Sequence, residues 1–277
     1  MLKVRIIPVL LLKNGILVRS KNFSFHQMIG NYIEQVKRFS TWKADELVYL
    51  DISRNEEYNL SKIQHVIGST SSKSTYIKNS KNNIIDIIKD ISSICRVPLT
   101  IGGKIRSIED IRIRLKAGAD KVVLNTIAIN DPSFIKKAAN EFGAQCIVVC
   151  VDVKRSENNI NEWKIYKSFG KVKADLDLKE WLQKIQELGA GEILLQSMDR
   201  DGSSTGYDLD LLSYISSCVN VPLIFLGGVG KFEDFLNAHK INPQVSLAAA
   251  NIFHFSEQSI INIKKFLLKE KVNVRLL

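Results

Sequence analysis

Eight short, nearly continuous apolar segments, helical stretches between them, and an echo between the two halves of the chain predict an α/β fold. The expected architecture is a single (β/α)8 TIM barrel with an internal half-barrel repeat. The segments are Val4–Leu11, Leu47–Ile52, Val97–Gly102, Lys121–Asn125, Cys146–Val151, Glu192–Ser197, Pro222–Leu226 and Val245–Ala249. Because they are mostly apolar throughout, they suit parallel strands covered by helices better than antiparallel strands with one wet face. Helices are expected over Gly30–Phe39, Ile84–Ser92, Ile108–Ala117, Pro132–Glu141, Leu178–Leu188, Leu209–Ser216 and Phe232–His239. Asp131-Pro132 forms a helix entrance, since Asp caps free backbone donors and Pro tolerates the first helical position. Gly118 and Gly189 suit helix exits. The echo runs from Val97-Pro98-Leu99, Gly103 and Glu109-Asp110 to Val221-Pro222-Leu223, Gly227 and Glu233-Asp234, 124 residues later.

A length of 277 residues sets a prior of one or two domains, but eight β/α units account for residues 1–277 as one barrel domain. Two polar stretches, 53–83 and 155–177, follow the second and fifth strands and read as long loops on the catalytic face. The first reads equally well as a bland loop or as a working lid.

Composition excludes several functions. Lys and Arg exceed Asp and Glu by 39 to 29, giving a net charge of +10, which fits an acidic or phosphorylated partner. The basic residues are scattered and the aromatic ones dispersed, which argues for a solvated surface and against nucleic acid. Cys95, Cys146, Cys150 and Cys218 form no CxxC pair and read as reduced thiols, with Cys146 and Cys150 assigned to core packing. The start, MLKVRIIPVLLLKNG, reads poorly as a signal peptide, and no apolar run approaches the roughly 20 residues of a membrane span. A cytoplasmic protein without membrane insertion is expected. His26, His65, His239 and His254 have no metal-ligand spacing, so no metal is expected. Neither a dinucleotide fingerprint nor a Walker lysine is present, and no cofactor is expected.

The informative polar residues lie at the C-terminal ends of the expected strands: Asp51, Gly102-Gly103, Asn125-Thr126, Asp152, Asp199 to Ser203, Gly227-Gly228 and Asn251. Glycines admit backbone donors close to a ligand, and Asn, Thr and Ser add neutral hydrogen bonds, a combination suited to phosphate. Gly227-Gly228 is the stronger phosphate candidate and Gly102-Gly103 the weaker. Asp201-Gly202-Ser203 reads either as ligand contact or as a turn. Asp152 reads as a proton-transfer group or as a strand-end salt bridge. A two-acid mechanism lacks its partner, because Leu11 stands at the corresponding end of the first strand. At the opposite strand ends, Arg5, Glu46, Lys121 and Glu192 could meet around the axis, as a structural ring or as a gate.

Nearly the whole chain resembles the cyclase subunit of the imidazole-glycerol-phosphate synthase family. The resemblance is carried by Arg5-Ile6-Ile7, Asp45-Glu46-Leu47, Leu50-Asp51-Ile52, Gly118-Ala119-Asp120-Lys121, Val151-Asp152-Val153-Lys154-Arg155, Gly189 to Leu195, Asp199-Arg200-Asp201-Gly202, Phe253-His254-Phe255 and Val272 to Leu276. It implies a glutaminase subunit as partner, whose ammonia crosses the barrel to a phosphorylated ribosyl-aminoimidazole precursor. It further implies Arg5, Glu46, Lys121 and Glu192 as the ammonia gate, and Asp120 and Gln145 as contacts to the glutaminase. Asp152 matches one catalytic acid/base, whereas Leu11 replaces the other. Gly103, Asn125, Thr126, Asp201, Gly202, Gly227, Gly228, Ala250 and Asn251 match phosphate-binding positions, and Lys104 replaces a usual glycine. Leu11 points to a divergent branch associated with surface-polysaccharide sugars. On that expectation the barrel delivers ammonia to an ATP-dependent sugar amidotransferase for acetamidino-sugar synthesis. The alternative is a histidine-pathway cyclase making imidazole glycerol phosphate and aminoimidazole carboxamide ribotide.

Overall fold

The computed structural model describes residues 3–21, 23–54, 57–58, 81, 83–255 and 259–276. In chain order the first half contains β1 (Ile6–Lys13), β2 (Ile16–Lys21), β3 (Phe25–Gly30), α1 (Tyr32–Thr41), β4 (Leu47–Asp51), α2 (Ile84–Ile94), β5 (Leu99–Gly102), α3 (Ile108–Lys116), β6 (Lys121–Leu124), α4 (Thr126–Asn130) and α5 (Ser133–Phe142). The second half contains β7 (Ile147–Arg155), β8 (Trp163–Lys167), β9 (Val172–Lys173), α6 (Leu178–Glu187), β10 (Glu192–Ser197), α7 (Leu209–Ile215), β11 (Leu223–Leu226), α8 (Phe232–Ile241), β12 (Ser246–Ala249), α9 (Ile252–Phe255) and α10 (Ser259–Lys269).

Strands β1, β4, β5, β6, β7, β10, β11 and β12 pair in parallel in that order, and β12 returns to β1. The ring closes with no free edge, so all eight expected strands form a (β/α)8 barrel. Alternation along each strand divides its side chains between two layers. Ile7, Val9, Val48, Val123, Val148, Cys150, Leu194, Ile224, Leu226 and Ala248 fill the axis. Their neighbours, among them Ile6, Leu10, Val149 and Leu195, point outward into a continuous core beneath the helices. That core includes Val36 and Phe39 of α1 and Ile87, Ile88 and Ile91 of α2.

Two excursions leave the barrel on its C-terminal side. The first strand continues past its expected end at Leu11 to Lys13, and β2 pairs antiparallel with it and β3 with β2 as an additional hairpin. Residues 155–177, expected as a loop, contain β8 and β9, which extend β7 antiparallel. The polar run before Trp163 obscured the alternating Trp163, Ile165 pattern, in which both side chains are buried. The expectation for 53–83 lies outside the described residues, apart from Ser53, Arg54, Glu57, Tyr58, Lys81 and Asn83. Among the described residues no helix is long and apolar enough to cross a membrane.

The sequence echo has a structural counterpart. After β5, Asp110 accepts from the backbone N–H groups of Arg106 and Ser107, both at 2.9 Å, at the start of α3. After β11, Asp234 accepts from Gly230 and Lys231 at 2.9 and 3.0 Å at the start of α8. Each pair satisfies backbone donors that a helix start leaves open. Gly103 and Gly227 precede these caps with φ of 106° and 122°. A Cβ there would stand 2.2 Å from the Asp51 carbonyl oxygen or 2.7 Å from that of Ser197, so a side chain is excluded by contact as well as by φ.

Lys264 of α10 donates to Asp45 Oδ1 and to the Lys43 carbonyl, each at 2.7 Å, while Asp45 Oδ2 accepts from Ile6 N–H. The last helix is thereby tied to the first strand. Loss of either helix cap, in Asp110→Ala or Asp234→Ala, is expected to lower stability by about 1–2 kcal/mol. Urea unfolding of the two variants checks this, and Asp234→Ala is expected to cost more because Asp234 is the more buried.

Candidate functional site

The inward-facing side chains along each strand run from a charged end to a cavity. On β1 the series is Arg5, Ile7, Val9, Leu11; on β7 it ends Val148, Cys150, Asp152; and on β10 it is Glu192, Leu194, Gln196. Period-two spacing therefore places the residues expected at the two strand ends on one interior surface.

At the N-terminal end Arg5 bonds Glu46 at 2.8 Å and also Glu192, and Lys121 bonds Glu46 at 2.9 Å and Glu192 at 2.7 Å. The sequence-expected foursome is thus a closed ring in which each cation bridges both carboxylates. Thr100 donates to Glu46 at 2.6 Å and Arg5 Nε to Ser246 at 2.9 Å. These two supports were not expected, although each is an isolated polar residue inside an apolar strand. Burial opposes the charge on Arg5, but Glu192 and Glu46 outweigh it and raise its pKa. Asp120 and Gln145 lie exposed on the same rim, just before β6 and the turn into β7.

At the C-terminal end a cavity of about 970 Å³ opens. Its wall contains Leu11, Leu50, Gly103, Asn125, Thr126, Cys150, Asp152 and Asp201. Asp152 is buried, with Asn125 Nδ2 donating to Oδ2 at 2.9 Å and the Cys150 thiol donating to Oδ1 at 3.3 Å. Loss of water pushes its carboxyl up to about 6; the Cys150 and Asn125 donors pull the other way and the charge of Asp201 adds to the rise. Asp152 can consequently hold or release a proton near neutral pH. Leu11 and Leu50 are register partners and face the same space with hydrocarbon.

Lys104 takes φ 55°, the left-handed geometry held by Gly228 in the other half-barrel. The strain is offset by an ion pair of 2.9 Å to Asp51, with both side chains buried. Asp51 also accepts from Ser53 N–H and Oγ and from the Tyr58 hydroxyl. The Lys104 ammonium lies 4.9 Å from the Tyr58 ring centroid, within cation–π range.

The expected phosphate contacts divide into two groups. Gly103, Asn125, Thr126 and Asp201 line the cavity; Gly202, Gly227, Gly228, Ala250 and Asn251 do not. Gly228 packs against the Gly206 carbonyl, where a Cβ would lie at 2.2 Å, and its own carbonyl accepts from Gly206 N–H. Asn251 donates to Ser20 O at 3.0 Å, and Asp201 accepts from Ser20 Oγ at 2.7 Å and Phe23 N–H at 3.0 Å. Asn251 and Asp201 thus anchor the β2–β3 hairpin, an interaction between distant segments with no local sequence signal. Thr126 Oγ1 accepts from Ser168 N–H in the β8–β9 turn. Among the described residues no group of three His, Cys, Asp or Glu side chains could hold a metal ion.

Residues 74–259 match the histidine biosynthesis protein family. The imidazole glycerol phosphate synthase subunit HisF of Hydrogenobaculum sp. (strain Y04AAS1) is 40% identical over 276 residues, covering 100% of both chains. The same subunit of Dictyoglomus turgidum is 41% identical with the same coverage, and that of Lactococcus lactis subsp. cremoris 39% identical over 100% of this chain and 98% of its own. The chain belongs to this family. The similarity to HisF subunits runs end to end, which corrects the expectation of a sugar-amidation role for surface polysaccharide with an ATP-dependent amidotransferase. That expectation rested on Leu11, and one aliphatic side chain in the cavity wall does not outweigh likeness along the entire barrel.

Lys104→Met removes the cation from a buried carboxylate and is expected to cost about 3 kcal/mol in urea unfolding. Asp152 behaves oppositely. Folding raises its midpoint from the ordinary 3.8 to about 6, so the folded chain holds the extra proton in that window and loses stability as pH rises through it. Asp152→Asn is expected to be more stable than the parent at pH 8 by on the order of 2–3 kcal/mol, with the gap closing below pH 4. Unfolding midpoints at both pH values check it.

Proposed function

We propose that the chain is the ammonia-using cyclase subunit of an imidazole glycerol phosphate synthase. The observation that carries this reading is a buried carboxyl with a midpoint near 6, facing a cavity at the C-terminal mouth of a barrel whose full-length relatives bear that name. A glutaminase partner docks on the opposite rim, over Asp120 and Gln145. Arg5, Glu46, Lys121 and Glu192 form the gate that its ammonia passes, and the apolar axial side chains exclude water beyond it. Neutral ammonia crosses such a lining at far lower cost than ammonium.

The phosphorylated ribosyl-aminoimidazole precursor binds in the cavity. Of the expected phosphate positions, Gly103, Asn125, Thr126 and Asp201, which line the cavity, are its proposed contacts, and Lys13, Arg54, Arg106 and Lys171 on the cavity wall give the potential an anion needs. Asp152, ionised above pH 6, takes a proton as the ammonia nitrogen attacks a carbonyl carbon of the precursor and returns it to the oxygen that leaves as water; ring closure then breaks the C–N bond to the aminoimidazole carboxamide ribotide, which departs as imidazole glycerol phosphate forms. Leu11 supplies no proton, so Asp152 carries the acid/base work without a second carboxylate at that strand end.

The test supplies the purified chain with the precursor and an ammonium salt at pH 8 and follows product formation. Turnover is expected to fall by roughly 10²–10⁴ in Asp152→Asn. It is expected to rise at least about tenfold in Leu11→Asp, which returns a second carboxylate to the cavity. In the parent, kcat is expected to climb as pH passes through about 6, following ionisation of Asp152. Absence of turnover in both the parent and Leu11→Asp overturns the reading.

A further inference from the structure

We propose that Cys150 is a positioning residue for Asp152: its thiol hydrogen bonds Oδ1 while Asn125 holds Oδ2, which fixes the carboxylate plane against the barrel interior. The geometry has a simple origin. Positions 150 and 152 are two apart on β7, so both side chains face inward, and the sulfur lies 3.3 Å from the carboxylate oxygen. Cys150, like Val123, lies where the apolar axial cluster meets the cavity, since it belongs to the cluster and lines the cavity wall. An aliphatic residue at 150 would fill the axis equally well but leave Oδ1 without this donor. Burial and the adjacent Asp152 both keep the thiol in its protonated, donating form.

A donor to a carboxylate favours ionisation, so Cys150 opposes the effect of burial on Asp152. The other groups around Asp152 do not duplicate this role. Tyr166 is its cross-strand partner on β8 and Gln196 its neighbour on β10. Asp201 acts in the opposite sense, and across the cavity the charge of Asp51 is matched by Lys104. Lys171 lies on the cavity wall beyond them.

The inference deepens the proposed acid/base role of Asp152 and rests on it for its catalytic meaning, but its test does not need turnover. Carbon-13 labelled aspartate, with the Asp152 signal assigned by its absence in Asp152→Asn, reports the carboxyl midpoint directly. Cys150→Ala is expected to move that midpoint to higher pH by about half a pH unit or more, and Cys150→Ser, which restores a donor, to return it most of the way. In the unaltered protein the Cys150 S–H stretching band in the infrared is expected to shift to lower frequency as Asp152 ionises, a measurement that no folding defect can compromise. An unchanged midpoint in Cys150→Ala, equal shifts in the Ala and Ser variants, or a thiol band indifferent to pH overturns the inference. If the acidic limb of kcat follows the carboxyl midpoint through the variant series, both proposals stand. If the midpoint moves but no variant turns over the precursor, the cyclase reading fails and the positioning role remains.

Discussion

Pairing of β7 with β10, from Val148 opposite Glu192 to Val153 opposite Ser197, is the constraint on which the remaining organisation depends. It closes eight parallel strands into a ring, so every strand starts on one rim and ends on the other. A parallel ring cannot present equivalent ends. The side chains that begin the strands, Arg5, Glu46, Lys121 and Glu192, must meet one another, and those that end them, Leu11, Leu50, Asn125, Asp152 and Gln196, must share a cavity. Between the two lies a column of inward-facing residues, chiefly Val, Ile, Leu and Ala, with Cys150 at the cavity end.

Burial of charge is handled differently at three places along this axis. In the ring each cation bridges two carboxylates, so desolvation is met by mutual attraction and by Thr100 and Ser246. At the cavity edge Lys104 and Asp51 neutralise one another, even though Lys104 must adopt a backbone geometry that its counterpart in the other half leaves to glycine. Among the described residues Asp152 has no cation within bonding distance, unlike the other two sites, only the neutral donors Asn125 and Cys150. Its incompletely compensated burial is what brings its proton affinity close to neutrality, and the same imbalance makes it a drain on stability. Strain of this kind is commonly concentrated where chemistry takes place.

Leu11 shows how a local substitution and a global likeness can point in different directions. Considered alone, an aliphatic residue at the cavity end of a barrel strand, where a carboxylate is expected, suggests a change of function. Yet Leu11 keeps the register of β1 against β4 and continues the inward-facing apolar series of its strand, so the barrel around it is undisturbed. Identity of 38–41% to HisF subunits over the full chain then decides the family.

The amino-acid sequence by itself determined the barrel, because continuous apolar strands, amphipathic helices and the Gly103/Gly227 echo are local patterns that admit few other packings. It also determined the ring, since isolated charges at the starts of buried strands have nowhere to go but toward each other. The β2–β3 hairpin and the β8–β9 extension were obscured, the first by its continuation of β1 and the second by the polar run ahead of it. Only the tertiary structure decided how the expected phosphate residues divide: Asn251 and Asp201 are taken up by the hairpin, and Gly228 by the Gly206 turn, through contacts between segments far apart in the chain. It alone added to the packing role of Cys150 a hydrogen bond to Asp152, and made Lys104, which replaces a usual glycine, the ion-pair partner of Asp51. Period and polarity are written along one strand, whereas hydrogen-bond partners and the loss of water are properties of the space that several strands enclose.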